Sequence, residues 1–122
     1  MKFFHENIAE FTQSNDNYRT ILFTTKHSQL VLMSLPQGEQ IPQEVHAVDQ
    51  SLIIVSGKGE AIINGTTVPL SENSLLIIPA GTSHVIKNTG DVPLKLFEFY
   101  TPPQHAPGTV HKTQDDEKST SQ

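Results

Sequence analysis

Cysteine is missing from this chain, and with it go disulfides, thiolate metal sites and cysteine nucleophiles. Tryptophan is missing too, and aromatic residues are only 7% of the chain, so the core must rest mainly on aliphatic side chains. Basic residues are scarce: 8 Lys and Arg stand against 13 Asp and Glu, with no basic run. Phosphate backbones are bound by clustered Lys and Arg, so a net charge of -5 argues against a nucleic-acid partner. Long hydrophobic runs are lacking as well; the longest are about half a dozen residues, against the roughly 20 that a membrane helix needs. The opening Met1-Lys-Phe-Phe-His-Glu6 has neither the apolar core nor the cleavage pattern of a secretory leader. We therefore expect no signal peptide, no membrane partner and a cytoplasmic location.

What is present, in 122 residues, suits one domain with one core. Short runs of apolar and β-branched residues recur from Thr20 onward, punctuated by turn residues. Thr20–Thr25, Ser28–Ser34, the stretch after Pro42, Gln50–Ser56, Glu60–Ile63, Thr66–Leu70, Leu75–Ile78, Ser83–Lys87 and Leu94–Tyr100 all read as strands. Asn64-Gly65 between two of them is a strong hairpin signal, because both residues tolerate positive φ. No amphipathic helix stands out, and the pattern implies an all-β sandwich or barrel over residues 20–100. Residues 1–19 read as an N-terminal arm, extended or with a helical turn around Phe4, Ile8 and Phe11. Residues 101–113 read as an extension that packs back on the barrel. Residues 114–122 contain no apolar side chain and are expected to be disordered. Leu52–Val55 and Leu75–Ile78 are apolar on both strand faces, so part of the outer surface should be covered, by the arm or by a second copy in a homodimer.

The polar residues that matter share a parity. Side chains alternate along an extended strand, so Glu44, His46, Gln50, Leu52 and Ile54 should look the same way, polar at one end and apolar at the other. His84 opens another strand after Pro79-Ala-Gly81. We expect Glu44, His46, Gln50 and His84 to meet around one divalent transition-metal ion, the carboxylate and two imidazoles suiting iron, manganese, nickel or zinc and the Gln50 oxygen a weak fourth ligand. His105 in the extension could fold over the barrel mouth as an acid or base, since an ordinary imidazole titrates near neutrality. Tyr100 ends the last strand and either lines the pocket or packs the core. His5 and His27 receive no role, and His111 reads as a solvated or capping side chain of the extension.

Gly38, Glu44, His46, Gln50 and Gly57, followed by Asn73, Pro79, Gly81, His84 and Asn88, stand at the spacings of the two sequence motifs of the cupin superfamily. The chain resembles that family over residues 38–88, and the Pro102–Thr113 extension looks like that of small single-domain bacterial cupins often labelled phosphomannose-isomerase-like. The resemblance implies a double-stranded β-helix, or jelly-roll barrel. Three positions depart from the family pattern: Glu44 stands where a His is usual, Gln50 where a Glu is usual, and Asn73 where a Gly is usual. The first two offset each other in charge, leaving the ligand set at the family's net value of one negative. Restoring the family residue, Gln50→Glu, is expected to tighten binding.

These readings point to a small metalloenzyme acting on a carbonyl, enediol or sugar-like small molecule, of isomerase or dioxygenase type, with Glu44 and His105 as candidate proton-transfer groups. A non-catalytic cupin that binds or senses a carbohydrate or an anion is the alternative. Only Lys87 and Lys95 lie where a sugar phosphate could use them, and Lys87 has the parity of the outer face.

Overall fold

The computed structural model describes residues 1–118. Helix α1 (Ile8–Ser14) is followed by strands β1 (Arg19–Thr24), β2 (Gln29–Leu35), β3 (Gln40–Glu44), β4 (Asp49–Ser56), β5 (Gly59–Ile63), β6 (Thr66–Leu70), β7 (Leu75–Ile78), β8 (His84–Asn88), β9 (Leu94–Thr101) and β10 (Val110–His111), then helix α2 (Gln114–Lys118). The strands form a six-stranded sheet, β10-β1-β2-β9-β4-β7, and a four-stranded sheet, β3-β8-β5-β6. Every pairing is antiparallel.

Alternation along each strand decides which residues face the space between the sheets. In β4 the inner residues Gln50, Leu52 and Ile54 are buried, while Ser51, Ile53 and Val55 are only half-buried. In β8 His84, Ile86 and Asn88 are buried and Val85 and Lys87 are not. Rows of cross-strand neighbours then fill the lumen. Met33, Leu96 and Ile54 form one row across β2, β9 and β4, and Ile41, Ile86 and Ala61 form another across the smaller sheet. These side chains belong to one buried cluster, which is the apolar floor of the barrel.

Strand β2 breaks the alternation, because all seven of its residues are buried. Its outer face is covered by the amino-terminal segment. Asn7 caps α1 by accepting the Glu10 amide at 3.0 Å. Lys95, on the outer face of β9, holds the far end: its ammonium donates to the Gln13 and Asn15 carbonyls at 3.0 and 2.7 Å and to Asp16 at 2.8 Å. Further out, Phe4 packs on Phe11 and Phe23, with ring centroids 6.2 and 5.9 Å apart. The cover does not extend to β7, where Leu75 and Ile77 are each 60% exposed. Lys95 is thus committed to α1 and is not the phosphate-binding candidate that its sequence position suggested.

Turn chemistry follows the sequence closely. Asn64 and Gly65 take φ of 48° and 84° in the β5–β6 hairpin, and Asn73 takes φ of 71° before β7. Gly57 takes φ of 95°, and a Cβ there would lie 2.7 Å from the Pro93 carbonyl oxygen.

The carboxy-terminal segment departs from expectation. Gln114–Lys118 is helical rather than disordered. Asp116 caps it by accepting the Lys112 and Thr113 amides at 2.9 and 3.1 Å, and Glu117 forms a salt bridge with the buried Arg19 guanidinium. The absence of apolar residues was a poor guide because the anchor is a charge. Residues 119–122, the rest of that expectation, lie outside the described residues.

Candidate metal centre

Glu44 and His84 face each other directly across the β3–β8 ladder. A bulge makes this possible. Ile41 pairs with Ile86 and Glu44 with His84, so β3 spends one extra residue at Pro42-Gln43. The extra residue lets Ile41 and Glu44, of opposite parity, both point inward.

Strand β3 ends at Glu44, and β4 begins at Asp49 in the other sheet. His46 lies in the corner between them. Glu44 and Gln50 therefore approach from opposite walls, and the single shared face expected from parity is in fact two inner faces looking at each other. Parity gave the inward direction correctly but could not reveal the change of sheet. The corner is fastened to the turn that carries His84: the Gly81 amide donates to the His46 carbonyl at 2.8 Å, and the Ala80 amide to Asp49 Oδ1 at 2.9 Å. Gln43 Nε2 adds a bond to Ser83 Oγ at 2.8 Å. Residues distant in sequence are thus held at one end of the barrel. Asn88, deeper along β8, donates to the Leu35 and Val92 carbonyls at 3.0 and 2.9 Å and serves to tie turns together.

Glu44, His46 and His84 each offer a ligand atom within 4.8 Å of the others. Glu44 Oε1 lies 3.4 Å from His46 Nε2 and 3.8 Å from His84 Nε2. Both nitrogens are buried and make no hydrogen bond among the described residues. His84 Nδ1 sits 3.0 Å from the Thr82 carbonyl, which can only accept. In the neutral ring the proton therefore sits on Nδ1, which leaves Nε2 as the ligand atom. Burial pushes the Glu44 carboxyl up, but His46, Arg19 and His84 pull harder the other way and hold it below its ordinary value. A carboxylate beside two imidazole nitrogens is a donor set that could hold a divalent ion.

Gln50 is 4% exposed and stands beside Tyr100 in the β4–β9 ladder. Its Nε2 donates to Glu98 Oε1 at 2.5 Å. Its Oε1 is buried without a hydrogen-bond partner among the described residues. Glu98 and Arg19 are site residues that sequence reasoning missed. Both are buried on inner faces, and burial pushes the Glu98 carboxyl up against the pull of Arg19 and of the Gln50 hydrogen bond. A signal for Glu98 existed: it shares the parity of Leu94, Leu96 and Tyr100 in an otherwise apolar strand. Arg19, one residue before the expected start of β1, offered none.

Tyr100 lines the site as well as packing the core. Its ring centroid lies 5.4 Å from that of His46 and 5.3 Å from that of His105, both edge-on. His46 and His84 rings are also 5.4 Å apart. His105 is buried, held through its backbone: Gln29 Oε1 accepts the His105 amide at 2.9 Å, and Gln29 Nε2 donates to the His105 carbonyl at 2.7 Å. The extension thus folds back over the barrel, with His105 one ring removed from the cluster. His111 is buried opposite Arg19 in the β1–β10 pair. A cleft of about 460 Å³ lies on the outside, lined by Phe3, Phe4, Phe23, Phe97 and Phe99, away from these residues.

A model of the cupin domain matches residues 31–100. The uncharacterised protein YrkC of Bacillus subtilis (strain 168) is 44% identical over 117 residues, which are 90% of this chain and 63% of that protein. The chain therefore spans less than two thirds of that relative's length. A putative mannose-1-phosphate guanylyltransferase of Vibrio cholerae is 27% identical over 100 residues, 77% of this chain and 22% of the relative. Among solved structures, BH2720 of Bacillus halodurans superposes with a TM-score of 0.96 at 36% identity, covering 98% of this chain and 96% of that one.

Proposed function

The chain belongs to the cupin family, and on that premise we propose that its double-stranded β-helix holds one divalent transition-metal ion on Glu44, His46 and His84, with Gln50 as fourth ligand, and acts on a small carbonyl, enediol or sugar-like molecule. The observation that carries the proposal is the pair of buried imidazole nitrogens without hydrogen-bond partners, 3.4 and 3.8 Å from one carboxylate oxygen. Buried polar atoms are normally satisfied, and a shared cation satisfies these together. When bound, such an ion would supply Lewis-acid polarisation of a carbonyl or enediol oxygen.

The chain's own residues supply the rest. The Thr82 carbonyl fixes the His84 tautomer. Glu44 carries the carboxylate best placed to take a proton from a bound molecule, a role it would fill instead of holding the ion. His105, brought over the barrel by Gln29, is the candidate acid or base on the far side of Tyr100. The apolar floor beneath excludes water. Lys95 is engaged elsewhere and Lys87 lies on the outer face of β8, which argues against a sugar phosphate as substrate. A non-catalytic binding cupin is the second reading. Deep burial of the cluster, with His84 only 2% exposed, limits what a substrate or a bound ligand can reach in either reading.

We also propose a soluble cytoplasmic homodimer that uses the exposed β7 face; no helix among the described residues is long and apolar enough to cross a membrane.

The test of the metal is direct. Protein purified without chelator should carry close to one divalent ion per chain. An ion present at a hundred times its dissociation constant should stabilise the fold by about 2.7 kcal/mol. Elemental analysis and melting curves with and without chelator measure both. His46→Ala and His84→Ala should each abolish most of the chelator-sensitive stabilisation. Wild-type protein that takes up no manganese, iron, nickel or zinc and melts identically in chelator would overturn the proposal.

A further inference from the structure

Gln50 stands where the family usually has a carboxylate, yet a carboxylate is present one strand away. We propose that Glu98 is a positioning residue: by accepting the Gln50 amide NH2 it turns Gln50 Oε1 toward Glu44, His46 and His84 and makes a neutral side chain serve as a defined fourth ligand. The inference rests on the metal-binding reading above.

The argument is geometric. A side-chain amide has one donor end and one acceptor end, set apart on a rigid plane, so fixing the nitrogen fixes the oxygen. Glu98 Oε1 takes the nitrogen at 2.5 Å. A carboxylate offers acceptors, so the amide presents its NH2 to Glu98 and its oxygen away from it. That oxygen is buried and has no hydrogen-bond partner among the described residues, in a residue 4% exposed. The neighbouring amide cannot hold it, because Gln29 is fully engaged: its Nε2 donates to Thr24 and to the His105 carbonyl, and its Oε1 accepts from the Gln104 and His105 amides. Gln50 lies opposite Tyr100 in the β4–β9 ladder, and the Tyr100 ring centroid is 5.4 Å from that of His46, so Gln50 and the cluster border the same ring. Burial pushes the Glu98 carboxyl up, and the Arg19 guanidinium and the Gln50 hydrogen bond pull it the other way.

This arrangement reverses the expectation from sequence for Gln50→Glu. With Glu98 in hydrogen-bonding contact, a carboxyl group at position 50 removes the amide donor and sets two acceptor groups against each other, so the substitution alone should not tighten binding. Exchanging the two residues should work instead, because Glu98→Gln then donates its NH2 to the new carboxylate.

The experiment is calorimetric titration of chelator-stripped protein with zinc(II) and with manganese(II), alongside melting curves of the metal-free forms. Glu98→Gln should weaken binding by about 10- to 100-fold, as loss of an outer partner of a ligand does. The exchange variant, Gln50→Glu with Glu98→Gln, should recover wild-type affinity or better. In a Gln50→Ala background Glu98→Gln should have no further effect, a comparison that separates positioning from general destabilisation. Undiminished affinity in Glu98→Gln, tighter binding by Gln50→Glu alone, or an equal loss in the Gln50→Ala background would each overturn the inference while leaving metal binding intact. A wild type that binds neither ion removes both.

Discussion

At the scale of single residues, Lys95 is the clearest case of a side chain whose sequence position misleads. It lies next to the apolar inner residues of β9, looks free to meet an anion, and is instead 6% exposed beneath the end of α1. A cation at a helix C-terminus satisfies carbonyls that the helix leaves unpaired and complements its dipole. Lys95→Met should therefore cost about 2 kcal/mol, because two carbonyls lose a charged donor. The same change should alter the acid response. Hydrogen bonding to Lys95, with its charge, holds the Asp16 carboxyl below its ordinary value. A carboxyl whose folded pKa is depressed stabilises the fold above its unfolded pKa and loses that contribution as pH falls through the folded value. The wild type's advantage over Lys95→Met should thus be constant near neutrality and shrink below about pH 4. Urea unfolding of both proteins across that range measures it, and a gap that widens on acidification would contradict the assignment.

At the scale of elements, α2 carries the contrast between what could be read and what could not. Deleting residues 114–122 is harmless if the segment is unstructured, which is what a chain without apolar side chains suggests. In the folded protein Glu117 pairs with Arg19, a guanidinium only 1% exposed, and Gln114 Nε2 donates to the Gln40 carbonyl at 2.9 Å at the edge of β3. Deletion leaves a buried cation without its partner, and the cost should be roughly 3 kcal/mol. Glu117→Gln should reproduce most of it, and chemical denaturation of both variants tests this; a truncated chain as stable as the full one would mean that solvent replaces Glu117 freely. Strands β1 to β9 were legible because alternation is local and the turn residues are specific. The bulge at Pro42-Gln43, the corner after Glu44 and the helix α2 were not, because each depends on a partner remote in sequence. The inward direction of Glu44, His46, Gln50 and His84 was readable; that Glu98 stands behind Gln50 became visible only once β4 and β9 were side by side.

At the scale of the whole molecule, the uncovered outer face of β7 sets the expected assembly. Leu75 and Ile77 stand exposed on an edge strand, whose backbone groups on one side are open to pairing. Sedimentation at micromolar concentration should give about twice the 13.5 kDa chain mass. Ile77→Lys should shift the population to monomer without lowering zinc affinity, since the site faces the opposite side of the sheet. A wild type that sediments as a monomer would leave that face simply wet. The scarcity of aromatics has one further consequence, and it is optical. With no tryptophan, ultraviolet emission comes from two tyrosines, Tyr18 and Tyr100, both buried. Tyr100 has its ring against a candidate ligand, His46. An open-shell ion such as nickel would quench that emission and closed-shell zinc would not, so the barrel carries a native fluorophore that reports which kind of ion has entered it.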